Sequence, residues 1–224
     1  MNRVIAGKKA KEQGHIFEER FASRYGLSAL GGNKTKVDVK GEFRGKRNLS
    51  LKNPSSVNTQ VWLPSQKTFS EALNLSNYST QFVKEFFGGD EYENYNRHRK
   101  TYEEVDLLLS KHFLDELNSK STKLFKYLFT HGYDMTGSVE LLGWATEKNN
   151  LDSIEFIDLG KFKKDFVKKG KWEFSKSGTT LHFHIGDIKL LHLQMKGSGK
   201  KYKSGYHSPQ FHVHGNWVDD WRHK

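Results

Sequence analysis

The sequence predicts an α/β fold in which a mixed central sheet is flanked by helices, with a helical segment in the middle of the chain. Apolar and polar residues alternate between residues 36 and 60 and again after residue 170, which is the period of half-buried strands. Residues 8–25 and 65–131 instead carry apolar residues at helical spacing. The two periods together indicate strands and helices in one chain.

The length bounds the domain organisation. A chain of 224 residues is long enough for one domain with a real core and short for two. We therefore expect a single domain over residues 1–224. Its segments are 1–67 with the first helix and a hairpin, 68–135 with helices, and 136–224 with antiparallel strands and basic loops.

The first helix is predicted over residues 8–25 and ends at Gly26, a residue suited to the position after a helix. On its helical wheel Glu18 lies at the edge of the apolar stripe, whereas Glu19 lies nearly opposite. Only Glu18 could therefore face a site on the sheet. The apolar stripe consists of Ala10, Phe17, Phe21 and Tyr25.

A hairpin is predicted next, with Arg44-Gly45-Lys46 as its turn. In the second strand Leu49 and Leu51 share one side, so Ser50 and Lys52 share the other. A three-residue turn places Asp38 of the first strand on the side of Ser50 and Lys52. A two-residue turn would place Asp38 opposite Leu51, on the apolar side, so the pattern favours the longer turn.

The middle of the chain is predicted to be helical. Two short helices follow Pro64, and Glu71 falls in the first turn of the first one, where a carboxylate is favoured. Thr101 and Glu104 have the spacing of a capping box that opens a helix over residues 102–118. A further helix is predicted over 121–131.

The last third is predicted to hold three consecutive antiparallel strands and a fourth short strand. Turn signals at Ser177-Gly178 and Gly186-Asp187 separate the three strands. Histidines recur on the polar side of these strands, and two His-x-His pairs can bind zinc or copper. A polar sheet face that lines a DNA cleft explains them equally well. The histidines are His182, His184, His192, His212 and His214.

The charge balance favours a polyanionic partner. The chain has 37 basic and 26 acidic residues and a net charge of +11, and nucleic acid is the commonest partner of such proteins. Residues 161–176 hold seven lysines interleaved with Phe166 and Trp172, a composition suited to phosphate contacts. A second basic segment carries Lys196, Lys200, Lys201 and Lys203.

Several classes of protein are excluded or disfavoured. The absence of cysteine excludes disulfides and thiolate metal sites. The N-terminus lacks an apolar signal core, and no run approaches the roughly 20 apolar residues needed to cross a bilayer. We therefore expect a soluble, cytoplasmic protein with no membrane partner.

The pattern Asp38, eleven residues, Ser50-Leu51-Lys52 resembles the active site of the PD-(D/E)xK nuclease superfamily. The NPSSVNTQVWLP segment that follows is similar to one found in type II restriction endonucleases. The resemblance implies a restriction-endonuclease-like fold and a metal-dependent endonuclease that hydrolyses double-stranded DNA. Cleavage gathers negative charge, which a Mg²⁺ ion held by hard oxygen ligands stabilises.

The resemblance also implies residue roles. Asp38 and the Leu51 carbonyl would hold Mg²⁺, Lys52 would position the attacking water, and Asn58 with Gln60 would contact DNA near the cut. A homodimer is expected because cutting both strands of a symmetric site usually takes two active sites.

The departure from the family pattern is Ser50, which stands where the second acid is expected. A glutamate from a helix would replace it, either Glu18 or Glu71. We expect Glu18 rather than Glu71, because Glu18 borders the buried stripe of a helix that must pack on the sheet.

Two alternatives stay open. Asp187, followed by Gln194 and Lys196, has the spacing of a rival site of the same superfamily, although Asp187 also suits a turn. The other alternative is a non-catalytic nucleic-acid-binding protein with a degenerate nuclease fold, in which Ser50 marks a lost metal site.

Overall fold

A computed structural model of the chain describes residues 3–30, 36–53, 58–87, 100–131, 138–195, 209–214 and 217–222, with backbone only for 3–10, 58 and 195. The chain divides into two compact units. The first unit comprises Met1–Val57, Phe125–Lys164 and Val218–Lys224. The second unit comprises Asn58–Leu124 and Asp165–Trp217. Among the described helices, none has the length and hydropathy of a membrane span.

The described strands are β1 Ser28–Ala29, β2 Val39–Phe43, β3 Lys46–Lys52, β4 Asn58–Trp62, β5 Leu141–Ala145, β6 Ile154–Asp158, β7 Gly170–Phe174, β8 Leu181–Ile185, β9 Ile188–Met195 and β10 Pro209–His214. The α-helices are α1 Arg3–Tyr25, α2 Gln66–Leu73, α3 Asn77–Phe86, α4 Tyr102–Val105, α5 Leu107–Ser119, α6 Ser121–Phe125, α7 Leu159–Lys169 and α8 Trp217–Arg222. A π-helical turn, Lys126–Thr130, continues directly from α6.

The sheet of the first unit has the strand order β1-β2-β3-β5-β6. β3 and β5 are parallel and the other neighbours are antiparallel, so the sheet is mixed, as predicted. Helix α1 packs on it through the predicted stripe, since Phe17 and Phe21 are buried against Leu49 and Leu51 of β3 in one core cluster. Gly26 ends α1 with a φ of 64°, as its predicted position after the helix requires.

The hairpin of β2 and β3 differs from the prediction in its turn and agrees with it in its register. Phe43 pairs with Lys46, so the turn has two residues, and the expected three-residue turn is wrong. A bulge between Lys40 and Phe43 adds one residue to β2, and upstream of it Val39 pairs with Leu49. Asp38 therefore falls opposite Ser50, on the predicted side. The bulge contains Gly41, whose φ of 134° and close approach to Leu27 exclude a side chain there.

The second unit contains a fully antiparallel sheet with the strand order β4-β10-β9-β8-β7. The three consecutive strands β7, β8 and β9 and the fourth strand β10 confirm the prediction for the last third. One face of this sheet is apolar and buried, and Trp172, Phe183 and Phe211 pack there. Phe166 is also buried. The sequence had indicated that Phe166 and Trp172 belong to a phosphate-binding surface. That expectation is wrong, because both side chains belong to the core.

Two helix predictions need correction. The capping box of Thr101 and Glu104 is present, but the helix that it opens ends at Val105. Asp106 is extended and caps a new helix, α5, because its side chain accepts hydrogen bonds from the main-chain amides of Leu108 and Leu109. In the second case, Ser65 caps α2 at Gln66, which places Glu71 beyond the first turn.

Candidate active site

The carboxylate of Asp38 is held by three donors from the neighbouring strand β3. Its Oδ2 atom accepts hydrogen bonds from the Ser50 hydroxyl at 2.8 Å, the Leu51 amide at 2.7 Å and the Lys52 ammonium at 3.0 Å. Three bonds to one oxygen fix the orientation of the carboxylate. Among the described residues, no donor lies within hydrogen-bonding distance of Asp38 Oδ1. That oxygen is therefore available to a ligand.

Lys52 joins the carboxylate to the main chain. Its Nζ atom donates to Asp38 Oδ2 at 3.0 Å and to the Leu51 carbonyl at 3.1 Å. The sequence had assigned the Asp38 carboxylate and the Leu51 carbonyl as metal ligands, and both groups accept a hydrogen bond from the Lys52 ammonium. An ammonium has three N–H donors, so the third remains for a water molecule or a phosphate oxygen.

Glu18 of α1 belongs to the same electrostatic group. Its side chain is only 15% exposed and accepts a hydrogen bond from His15 at 3.2 Å. Burial raises the pKa of Glu18, and the negative charge of Asp38 raises it further, while Lys52 and His15 act in the opposite direction. The charge of Asp38 therefore acts on Glu18, the glutamate that the helical wheel placed at the edge of the apolar stripe. Glu19 is exposed.

Lys36 is a site residue that sequence reasoning missed. It is half-buried and its ammonium donates to the Leu128 carbonyl. Burial and the positive charge of Lys52 lower the pKa of Lys36 to about 7, partly offset by the charge of Asp38. The available signal was its position two residues before Asp38, which places both side chains on one side of the strand.

A pair of asparagines fixes the end of β3 and was also missed. The Asn53 side chain donates to Asn149 Oδ1 at 2.7 Å and accepts from the Asn149 amide at 2.8 Å. Asn149 has a φ of 62°, a conformation that asparagine tolerates better than most residues. Because Asn53 directly follows Lys52, this contact holds the chain immediately beyond the site.

The site adjoins a cavity of about 410 Å³ lined by His15, Glu18, Glu19, Ala29 and Leu30. Of the residues that line it, Ala29 belongs to β1, the strand at one end of the first unit's sheet order. In the part of the chain that the structure describes, no group of three or more His, Cys, Asp or Glu side chains is arranged to hold a metal ion. A metal bound here would therefore depend on main-chain oxygen as well as on Asp38 and Glu18.

Other residues proposed from the sequence lie elsewhere or outside the described residues. Glu71 is exposed on α2 in the second unit and lies 3.8 Å from Lys67. Gln60 lies on β4, where its Oε1 accepts from Gln210 at 2.6 Å, and Asn58 begins that strand. The lysines at 196, 200, 201 and 203 lie outside the described residues.

The rival arrangement of Asp187 with Gln194 is not supported by the fold. Asp187 occupies the β8–β9 turn, as its sequence context predicted, and is exposed. Gln194 lies near the far end of β9, so roughly 20 Å of extended strand separates the two. Lys196 lies outside the described residues.

The histidines share the polar face of the second unit's sheet. His182 pairs with His192 across β8 and β9, and His192 pairs with His212 across β9 and β10. The rings of His192 and His212 stack at 4.8 Å, and His214 lies 3.4 Å from His192. No metal-binding group of three occurs among the described histidines. Burial lowers the pKa of His192 to about 3, with added effects of neighbouring histidines and Lys189.

Comparison with known proteins gives a limited result. No protein-family model matches the chain, and no curated protein matches it. The chain is similar to a solved structure of restriction endonuclease MspI in complex with its cognate DNA, with 11% identity and a TM-score of 0.42. The match covers 83% of this chain and 66% of the MspI chain.

Proposed function

We propose that the chain is a Mg²⁺-dependent endodeoxyribonuclease that hydrolyses phosphodiester bonds in double-stranded DNA, with the biological role of a type II restriction enzyme. The observation that carries the proposal is the arrangement at Asp38, which combines an oriented carboxylate, a main-chain carbonyl and a lysine on two adjacent strands. This arrangement agrees with the PD-(D/E)xK pattern of the sequence.

The donor set fits magnesium. Asp38 Oδ1, a carboxylate oxygen of Glu18 and the Leu51 carbonyl are hard oxygen ligands, the type that Mg²⁺ prefers. The raised pKa of Glu18 reflects its burial and its proximity to a second negative charge, and a divalent cation would relieve both effects. When bound, Mg²⁺ would supply charge stabilisation for the phosphate and lower the pKa of water.

Each protein group has a distinct part. Ser50 and the Leu51 amide keep the Asp38 carboxylate oriented. Lys52 donates its third N–H to the attacking water, while its other two bonds to Asp38 and the Leu51 carbonyl hold the ammonium in place. Glu18 supplies the acid that Ser50 does not.

The remaining surface would bind DNA. A net charge of +11 attracts the phosphate backbone, and the lysines at 196, 200, 201 and 203 would contact it. Gln60 and Asn58 carry amide groups of the type that reads base edges. A homodimer would let two sites cut both strands.

Nicking of supercoiled plasmid tests the proposal. Wild-type protein should nick DNA in Mg²⁺ and not in EDTA. Lys52→Ala should remove cleavage and leave DNA affinity within about twofold, because the lysine serves the water and not the complex as a whole. Lys40→Ala, an exposed lysine of the same hairpin, is the matched control and should cleave normally.

Ser50 favours a second candidate, a nucleic-acid-binding protein without catalysis. It is 2% exposed and bonded to Asp38 at the position of the expected acid. Binding of DNA without nicking in Mg²⁺ or Mn²⁺ would support this candidate and overturn the first. Full cleavage by Lys52→Ala would remove the Asp38 site from the proposal.

A further inference from the structure

A second cavity, of about 260 Å³, lies at the other end of the first unit's sheet. Four basic side chains line it, and we call it the lysine pocket: Lys46, Lys126, His131 and Lys163. Lys46 begins β3 and Lys52 ends it, so at about 3.3 Å per residue the pocket lies roughly 20 Å from the candidate active site. It is a separate feature.

Two of these cations have no acidic partner among the described residues. Lys126 and Lys163 are both half-buried, and no described carboxylate lies within ion-pair distance of either. Both lysines also act on His131, which lines the same pocket. Burial lowers the pKa of His131, and the positive charges of Lys126 and Lys163 lower it further. The pocket therefore concentrates positive charge.

Two acids near the pocket, among the described residues, already have partners. Asp158 forms an ion pair with Lys46 at 3.1 Å. Glu140 lines the pocket, but its Oε2 atom accepts from the main-chain amides of Arg47 at 2.9 Å and Asn48 at 3.3 Å. Glu140 keeps its negative charge, because its partners are neutral amides, but it forms no ion pair with Lys126 or Lys163. Among the described groups, three lysines therefore face two carboxylates, and an added anion would meet a net positive charge.

The π-helical turn anchors the His131 ring. The Thr130 hydroxyl lies 3.2 Å from the Lys126 carbonyl and 2.5 Å from His131 Nδ1. Protonated His131 would carry a positive charge and offer one more donor to an anion.

We propose that the lysine pocket binds a phosphate group, carried by a nucleic-acid backbone or by a small phosphorylated molecule. Its volume lies just below the range of pockets for drug-sized ligands and suits a compact group. Lysine is a common phosphate ligand because its ammonium acts as a point charge with three donors. The inference is independent of the proposed cleavage, since it uses none of the residues around Asp38.

Binding of inorganic phosphate to the full chain in EDTA provides the first test. Phosphate should raise the melting temperature with saturation. Lys126→Gln/Lys163→Gln should weaken phosphate affinity by at least about tenfold, as expected for two charge-assisted bonds. The control Lys123→Gln/Lys164→Gln removes the same charge from exposed positions near each lysine and should bind normally. Unsaturable binding, or equal loss in the control, would overturn the proposal.

Proton NMR of the His131 ring gives a second readout that does not depend on the lysine variants folding. Saturating phosphate should shift the His131 titration to higher pH, because a nearby anion favours the imidazolium. His131→Asn assigns the signal. An unshifted titration at saturating phosphate would place the anion elsewhere and overturn the proposal.

Binding of two further ligands, a deoxynucleoside 5′-monophosphate and a short DNA duplex, distinguishes a small phosphorylated molecule from the nucleic-acid backbone. If Lys126→Gln/Lys163→Gln weakens duplex binding more than the control pair does, and lowers the slope of log affinity against log salt by about two, the pocket binds the backbone. If it weakens only mononucleotide binding, the ligand is a small molecule. Both results support a phosphate site, whereas normal binding of both ligands contradicts it.

Discussion

The Ser50 hydroxyl donates a 2.8 Å hydrogen bond to Asp38 Oδ2, so the serine at the position of the expected acid orients the carboxylate that remains. Ser50→Ala should lower the cleavage rate about tenfold and the free energy of unfolding by about 1 kcal/mol, the usual contribution of one hydrogen bond. Plasmid nicking and urea denaturation measure the two effects. Ser110→Ala removes an equally buried hydroxyl from the second unit and should affect stability alone. An unchanged cleavage rate in Ser50→Ala would show that this bond does not matter to catalysis.

Under the proposed function Glu18 supplies the second carboxylate of the site, so it should be required for cleavage. Glu18→Gln should reduce nicking by about 100-fold or more, the size expected when charge stabilisation by a metal is lost. Its neighbour Glu19→Gln, which changes an exposed residue, should be active. Equal activity of the two variants would exclude Glu18 as a ligand.

The pH dependence of cleavage should report the same group. Burial and the charge of Asp38 raise the pKa of Glu18 above 4.5, and only the ionised carboxylate can bind a cation. Wild-type activity at limiting Mg²⁺ should therefore rise with pH through that raised pKa. The rise should be absent from the residual activity of Glu18→Gln. A rise of the same shape in both proteins would assign it to another group.

The basic segment after β9 should supply phosphate contacts. Replacing Lys200, Lys201 and Lys203 by alanine should weaken binding to all DNA sequences alike. The slope of log affinity against log salt should fall by about one for each lost contact. Filter binding at several salt concentrations measures both quantities. An unchanged slope would show that this segment does not meet the backbone.

The histidines on the polar face of the second unit's sheet should make the folded protein less stable in acid. Burial, with His182, His212, His214 and Lys189 nearby, lowers the pKa of His192 from 6.5 to about 3. As the pH falls below about 6.5, the unfolded chain binds a proton that the folded chain refuses. Stability is therefore full above that pH and is lost down to about pH 3, by up to about 1.4 kcal/mol per pH unit.

Urea denaturation between pH 7 and pH 4 tests this expectation. In His192→Gln the free energy of unfolding should fall less steeply as the pH falls, because one titrating group has been removed. A decline identical to that of the wild type would show that His192 is not a source of acid sensitivity.

The candidate site was predictable where short-range patterns decide the geometry. Alternation along β3 placed Ser50 and Lys52 on one side, and the helical wheel of α1 selected Glu18 over Glu19. The same alternation puts Lys36 on the side of Asp38, but its lowered pKa could not be predicted, because that pKa depends on burial near Leu128, which is remote in sequence.

The sheets were predictable only in part for a related reason. Periodicity identifies strands and does not tell which strands become neighbours, so the separate sheet of the second unit was not foreseen. β5 was missed because all five of its residues are buried, which leaves no alternation to detect. Its parallel contact with β3 depends on residues about 90 positions apart.

The bulge at Gly41 restricts how the length of this hairpin can change. Two residues of β2 face one residue of β3 there, so deletion of Gly41 would leave a regular hairpin with the same two-residue turn and with Asp38 still opposite Ser50. Deletion of Gly41 should therefore remove the bulge and keep the Asp38 contact with Lys52. Deletion of one residue from β3 with the bulge in place would instead move the carboxylate to the apolar side. Homologous hairpins that keep the site and the two-residue turn should contain either this bulge or one residue fewer between Asp38 and the turn.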